Sequence, residues 1–228
     1  AMVHHKENNR LGVPYFNDKG RLIEYVEKPE NPPHDFAIPG IYFLNPKVFE
    51  AFKGKDKIKP SARGEYEIPS VFQWLIDHGN RVDVKEYTGK WLDPGKFNDW
   101  IESNQYLLDT KSDFLIESVP DDKSVLENRI SVGKNCTIEN SHIRGPVIIG
   151  DNVVIRDSFV GPFTSIADSC TISHSRVENS VLMSKVKITN VPHPIDSSLI
   201  GTQSEVSNNT SPTSEIQLFV GEMCQIKV

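Results

Sequence analysis

The chain has 228 residues, with 25 basic against 31 acidic side chains, 37% hydrophobic residues and three cysteines, the composition of a folded globular protein rather than a disordered or fibrous one. No apolar run approaches the roughly 20 residues that a membrane helix needs, and the N-terminus lacks the basic-then-apolar order of a signal peptide, so a cytoplasmic protein is expected. A net charge of −6 without a basic block leaves no footprint for a nucleic-acid backbone.

In chain order, "LGVPYFN", "RLIEYVEKP", "GIYFLN" and "RVDVKEY" are short runs rich in β-branched and aromatic residues, bounded by Gly, Pro, Asn or Asp, and read as strands. Between and after them lie helical patterns. "EIPSVFQWLIDHGN" places Val71, Phe72, Leu75 and Ile76 on one stripe, with Ser70 as a start signal and Gly79 as a stop. "DPGKFNDWIESNQYLLDT" does the same with Phe97, Trp100, Ile101, Gln105 and Leu108. Trp74, Trp91 and Trp100 read as packing residues. Strands alternating with amphipathic helices predict an α/β layer arrangement, here resembling the back portion of a larger sheet.

The composition then changes. Residues 1–115 carry 34 charged side chains, all three tryptophans and four serines, whereas residues 116–228 carry 22 charged side chains, no tryptophan and 17 serines. We place the boundary at residues 112–120.

Beyond it an aliphatic residue recurs at Val132, Ile138, Ile143, Ile149, Ile155, Val160, Ile166, Ile172, Val177, Leu182 and Ile188, in steps of five or six residues. Neither a 3.6-residue helix nor strand alternation gives this spacing; hexapeptide repeats do. The reading is a triangular parallel β-helix in which one aliphatic side chain per face points inward, a coil takes about 18 residues and coils stack at about 4.8 Å. Eleven inward positions predict between three and four coils. Cys136 and Cys170 then lie on one face two coils apart, about 9–10 Å between Cα atoms, beyond the reach of a disulfide. With Cys224 remote in sequence, three thiols are expected.

The motifs "VEKPENPP", "FAIPGIYFLNPKVFEAF", "IKPSARGEYEIPSVFQWLIDHG" and "GKWLDPGKFNDWIESNQYLL" stand in the same order and at similar distances in sugar-1-phosphate nucleotidylyltransferases. The chain most resembles the glucose-1-phosphate thymidylyltransferases of the long type, over roughly residues 10–228 and including a tail from "SLIG" to "LFVGEMCQIKV". The resemblance implies an α/β fold, the rear portion of a Rossmann-like nucleotidyltransferase domain over residues 10–112, followed by a left-handed parallel β-helix over residues 120–228. It also implies a reaction in which a sugar 1-phosphate such as glucose 1-phosphate attacks the α-phosphorus of a nucleoside triphosphate such as dTTP and releases pyrophosphate, with Mg²⁺ as cofactor of the complete enzyme. Such chemistry asks for positioning and charge neutralisation.

Residue by residue, Lys28 matches the lysine that contacts the sugar phosphate and Glu27 the glutamate that holds sugar hydroxyls. Arg63 matches a phosphate-binding arginine, a task its planar fork suits, and Glu65 a sugar-site glutamate. Asp93 matches the Mg²⁺ ligand of a "W-x-D-T-G" motif, with Pro94 in place of the threonine. Gly12, Ile38 and Tyr42 match positions lining the sugar pocket, with Pro39 again replacing a threonine. Glu67 reads as a helix-start carboxylate.

The family's glycine-rich loop, "L-A-G-G-x-G-T-R-L", has no counterpart: the 14 glycines include no Gly-Gly and no Gly-x-Gly. Nor is there a Gly-Asp pair outside Gly150-Asp151 in the repeat. Against the family the chain is short by about 130 residues of nucleotide-binding sheet, so alone it is expected to be inactive and to hold no Mg²⁺. The alternative is a regulatory sugar-phosphate-binding subunit that assembles with a full-length partner. A third reading, a β-helix acyltransferase using His142, His174 or His193 as base, lacks a supporting constellation. The flat faces of the β-helix are expected to make homo-oligomer contacts.

Overall fold

A computed structural model of the chain describes residues 1–61, 64–111 and 113–208, so Arg63, Cys224 and the "LFVGEMCQIKV" tail lie outside the described residues. The chain divides into two compact units, Ala1–Trp91 and Leu92–Val228. No helix among the described residues is long and apolar enough to cross a membrane.

In the first unit, strand β1 (Val3–His4) is followed by β2 (Gly12–Phe16), β3 (Leu22–Glu27) and β4 (Phe36–Ala37). The β2 and β3 strands form an antiparallel hairpin with Gly12 opposite Glu27 and Pro14 opposite Tyr25, while β1 pairs antiparallel with β4. The hairpin turn is set by Asn17, whose side-chain oxygen accepts from the backbone N–H of Lys19 and of Arg21, both at 3.0 Å, and by Gly20 at φ +69°.

Helix α1 (Ile68–Asp77) packs on β3, as its stripe predicts: Val71 and Leu75 are buried with Ala51 and Ile58, and Phe72 and Trp74 pack against them. Its start lies earlier than Ser70, with Glu67 as N-cap and Pro69 in the first turn, where a missing N–H costs nothing. It ends at Gly79, φ +71°, in a Schellman motif: the Gly79 N–H reaches the Ile76 carbonyl at 3.0 Å and the Asn80 N–H the Leu75 carbonyl at 2.9 Å.

The expected strands "GIYFLN" and "RVDVKEY" do not form. A strand exists by virtue of a neighbour, and the first of these has none among the described residues. The second pairs, among the described residues, at one bridge, between Met2 and Glu86, the Met2 N–H bonding the Lys85 carbonyl at 2.9 Å and the Tyr87 N–H the Met2 carbonyl at 2.8 Å.

The second unit opens with helix α2 (Phe97–Thr110) and continues into a parallel β-helix. Among the described residues its three sheets have five strands each. Register fixes the stack: Val132, Ile149, Ile166, Leu182 and Ile200 lie one above the next, as do Ile138, Ile155, Ile172, Ile188 and Val206, and Leu126, Ile143, Val160, Val177 and Ile195. All eleven aliphatic positions picked out by spacing point inward, none more than 3% exposed. The stack is longer than the three to four coils expected, because Leu126, Ile195, Ile200 and Val206 extend it at the ends. These are only partly buried, since an end coil has a neighbour on one side.

The enrichment in serine and asparagine has a mechanical origin. Asn128, Asn135, Asn140, Asn152, Asn179 and Asn190 occupy corners at φ between +45° and +68°, a conformation that asparagine adopts more readily than most side chains. Ser141, Ser158 and Ser175 form a ladder beside the corners. Each hydroxyl donates to the carbonyl two residues back, at 2.6–2.8 Å, and accepts a backbone N–H from the next coil, at 3.1–3.2 Å. Gly133 and Gly150 mark close approach between coils: an added Cβ would lie 2.3 Å from an Asp151 or Asp168 carboxylate oxygen, the same oxygens that accept the N–H of Lys134 and Asp151 at 2.8 Å. Cys136 and Cys170 are free thiols, separated in the stack by Val153, and burial pushes both above the usual thiol range.

Helix α2 belongs to this unit through its own contacts, so the division by packing falls ahead of the compositional change at 112–120. Ile101 and Leu108 are buried, whereas Phe97 and Trp100, expected on the packed stripe, are exposed. Two amides do the rest. The Asn104 amide donates to the Phe163 carbonyl at 2.8 Å and its oxygen accepts from the Ser165 hydroxyl, while the Gln105 amide donates to the Asn179 side chain at 2.6 Å.

Ser158→Ala leaves the buried Ser175 N–H without its acceptor. It should cost about 1–3 kcal/mol in urea unfolding of the solenoid, while Ser→Ala at the exposed Ser207 should change nothing measurable.

Candidate functional site

Five of the residues matched from sequence come together in the first unit. Gly12 opens β2 directly opposite Glu27, the last residue of β3, and its carbonyl accepts the Ile38 N–H at 2.8 Å. The next residue, Lys28, donates its N–H to the Leu11 carbonyl at 2.9 Å. Gly12, Glu27, Lys28 and Ile38 are therefore fixed side by side by backbone hydrogen bonds from three segments, before any side-chain contact is considered.

Gly12 is required by space. A Cβ there would fall 2.1 Å from the Tyr25 ring, which lies across the glycine. Tyr25 is 8% exposed, and its hydroxyl lies 3.1 Å from that of the half-buried Tyr42. Phe72 of α1 packs against both rings, at centroid distances of 5.9 and 5.2 Å. Burial raises both phenols above the ordinary tyrosine range, and the Glu27 carboxylate raises them further, so both are neutral O–H groups.

Lys28 has φ +50°, a left-handed conformation that costs a non-glycine residue about 1–3 kcal/mol, and it is followed by Pro29. The pairing of Glu27 and the bond to Leu11 hold it there. Its ammonium lies 3.7 Å from the Glu27 carboxylate and is more than half exposed. A cation with solvent on one side and a carboxylate on the other can receive an anionic group while the carboxylate accepts hydrogen bonds from neighbouring hydroxyls.

Glu65 stands exposed on the loop into α1, where its carbonyl accepts the Ser61 N–H at 2.8 Å next to Gly64 at φ +81°. Glu67 accepts from the Ser61 hydroxyl at 3.0 Å, in keeping with a helix-start carboxylate. Asp93 lies in the second unit, exposed in a tight turn in which the Gly95 N–H reaches the Asp93 carbonyl at 2.7 Å. No group of three metal-ligating side chains occurs among the described residues. Mg²⁺ usually takes one or two carboxylates and completes its shell with water and substrate phosphates, so Asp93 fits as one ligand of such a shell and not as a site by itself.

Tyr25 was missed from sequence. Strand alternation in "LIEYVE" puts it on the same face as Glu27, and a glycine diagonally across in the partner strand is the signal that a large ring crosses there.

Residues 1–110 match the family model described as nucleotidyl transferase. The chain is 34% identical over 227 residues to a glucose-1-phosphate thymidylyltransferase of Streptomyces antibioticus, an alignment covering 100% of this chain and 62% of that protein. It is 33% identical over 222 residues to the enzyme of the same name from Streptomyces griseus, covering 97% and 61%. To the low-salt glycan biosynthesis nucleotidyltransferase Agl11 of Haloferax volcanii it is 35% identical over 222 residues, covering 96% and 61%. The chain thus spans about three-fifths of the length of these relatives.

Gly12→Ala should clash with the Tyr25 ring and destabilise the first unit by about 1–3 kcal/mol, read as a lowered thermal transition. An unchanged transition would mean that the ring does not lie over the glycine.

Proposed function

We propose, from the match of residues 1–110 to the nucleotidyl transferase family model, that this chain holds the sugar 1-phosphate of a sugar-1-phosphate nucleotidylyltransferase. The observation that carries the reading is the backbone-fixed juxtaposition of Gly12, Glu27, Lys28 and Ile38, with Tyr42 linked to it through Tyr25. The names of the Streptomyces relatives make glucose 1-phosphate and dTTP the substrates to try first.

In the reaction proposed, a phosphate oxygen of the sugar 1-phosphate forms a bond to the α-phosphorus of the nucleoside triphosphate. The bond from that phosphorus to the bridging oxygen breaks, and pyrophosphate leaves with the electron pair. Lys28 neutralises and orients the attacking phosphate, a task for which a cation held beside the Glu27 carboxylate is suited. Glu27 accepts from sugar hydroxyls and Tyr42 donates to one. Gly12 leaves room for the sugar against backbone, and Ile38 supplies an apolar wall. Arg63 is assigned the second phosphate contact and Glu65 a further hydroxyl contact on the sequence match. Asp93 is the residue of this chain that would ligate Mg²⁺, which would supply charge neutralisation on the phosphates.

The sequence supplies no glycine-rich loop to cradle a triphosphate. The chain by itself should therefore bind sugar 1-phosphate without turning it over.

Titration calorimetry of the chain with α-D-glucose 1-phosphate should show saturable binding that Lys28→Gln weakens about tenfold or more, the loss expected for one charge-assisted contact. Mixing with dTTP and Mg²⁺ should release no pyrophosphate. Binding indifferent to Lys28→Gln would contradict the assignment of the phosphate contact, and turnover by the chain alone would contradict the division of labour.

A further inference from the structure

The Tyr25–Tyr42 pair is not accounted for by packing alone. Tyr25 is buried under α1 and over Gly12, and a buried hydroxyl hydrogen needs an acceptor. The acceptor within reach is the Tyr42 oxygen at 3.1 Å. Tyr42 is less buried, so its own hydrogen can turn away from the pair. Either oxygen could donate across this distance, and it is the deeper burial of Tyr25 that makes its hydrogen the one in need of the partner. The charge of Glu27 acts on both phenols, which places an acceptor carboxylate in the same neighbourhood as an oriented donor.

We propose that Tyr25 is a positioning residue for recognition of the sugar: by donating to Tyr42 it fixes the Tyr42 oxygen and directs the Tyr42 hydrogen to a hydroxyl oxygen of the bound ligand. This rests on the sugar 1-phosphate reading of the site. A hydroxyl is both donor and acceptor, and the Glu27 carboxylate with the Tyr42 O–H offers the complementary pair. The device acts on the sugar and not on the phosphate. It therefore favours a phosphate that carries a polyhydroxylated ring over inorganic phosphate, because an unmatched polar group in the site is costly.

The test is a double-mutant cycle on the full 228-residue chain. Calorimetry would use α-D-glucose 1-phosphate and inorganic phosphate as probes of wild type, Tyr25→Phe, Tyr42→Phe and the double variant. Tyr25→Phe keeps the ring over Gly12 and against Phe72, and thermal unfolding verifies that the variants fold. Tyr25→Phe should weaken glucose 1-phosphate about threefold to tenfold, the range for one hydrogen bond, and leave inorganic phosphate unchanged. In the Tyr42→Phe background it should have no further effect. An undiminished loss in that background, no loss at all, or an equal loss for both probes overturns the proposal while leaving the sugar-phosphate reading intact. A wild-type chain that does not bind glucose 1-phosphate overturns that reading and this proposal with it.

Discussion

A backbone N–H or carbonyl taken out of water must find a partner, and the two units meet that demand in different ways. In the solenoid each coil is the partner of the coils above and below, so one register, repeated, satisfies backbone and core together: Ile138, Ile155, Ile172 and Ile188 stack because their strands pair in phase. The corners extend the same economy to side chains. Serine hydroxyls take the N–H groups that the turning chain leaves over, and asparagines accept the left-handed corner geometry. Among the described residues of the first unit, strand pairing comes to two two-stranded sheets and two isolated bridges, and what holds Gly12 is its position between two partners, Glu27 and Ile38.

That difference explains what could be read from the sequence. The solenoid core was legible residue by residue because an inward side chain at every fifth or sixth position has no competing template. The absence of a disulfide between Cys136 and Cys170 followed from the same stacking. Helix α1 was legible because stripe and terminal glycine agree. The segments "GIYFLN" and "RVDVKEY" have strand composition, but composition says nothing about whether a neighbour is present, and the strand state depends on it. The contacts of α2 are not legible in its pattern for a related reason. Its apolar pattern reads the same whichever surface it meets, and the deciding contacts are the amides of Asn104 and Gln105 with solenoid corners.

At the candidate site, motif matching picks out Glu27 and Lys28 for their chemistry, and the structure shows what arranges them. Lys28 is held in a left-handed conformation between Glu27 and Pro29, and Gly12 is obligatory because Tyr25 crosses it. The polar groups are asymmetric in a useful way: a solvent-facing cation for an anionic group, and beside it a carboxylate and neutral phenols suited to hydroxyls. On the proposed reading, these are the groups that a phosphorylated sugar would meet. The 14 glycines of the sequence are all isolated, so no glycine-rich loop accompanies these groups in the chain.

The central claim is therefore about place: a sugar 1-phosphate binds where the Gly12, Glu27 and Ile38 backbones meet. Hydrogen–deuterium exchange of the chain with and without saturating α-D-glucose 1-phosphate tests it most directly. The account predicts slower exchange confined to residues 11–16, 22–28 and 36–42, the segments joined by those backbone bonds, with the solenoid coils unaffected. Protection appearing in the solenoid while these segments exchange as before would contradict it.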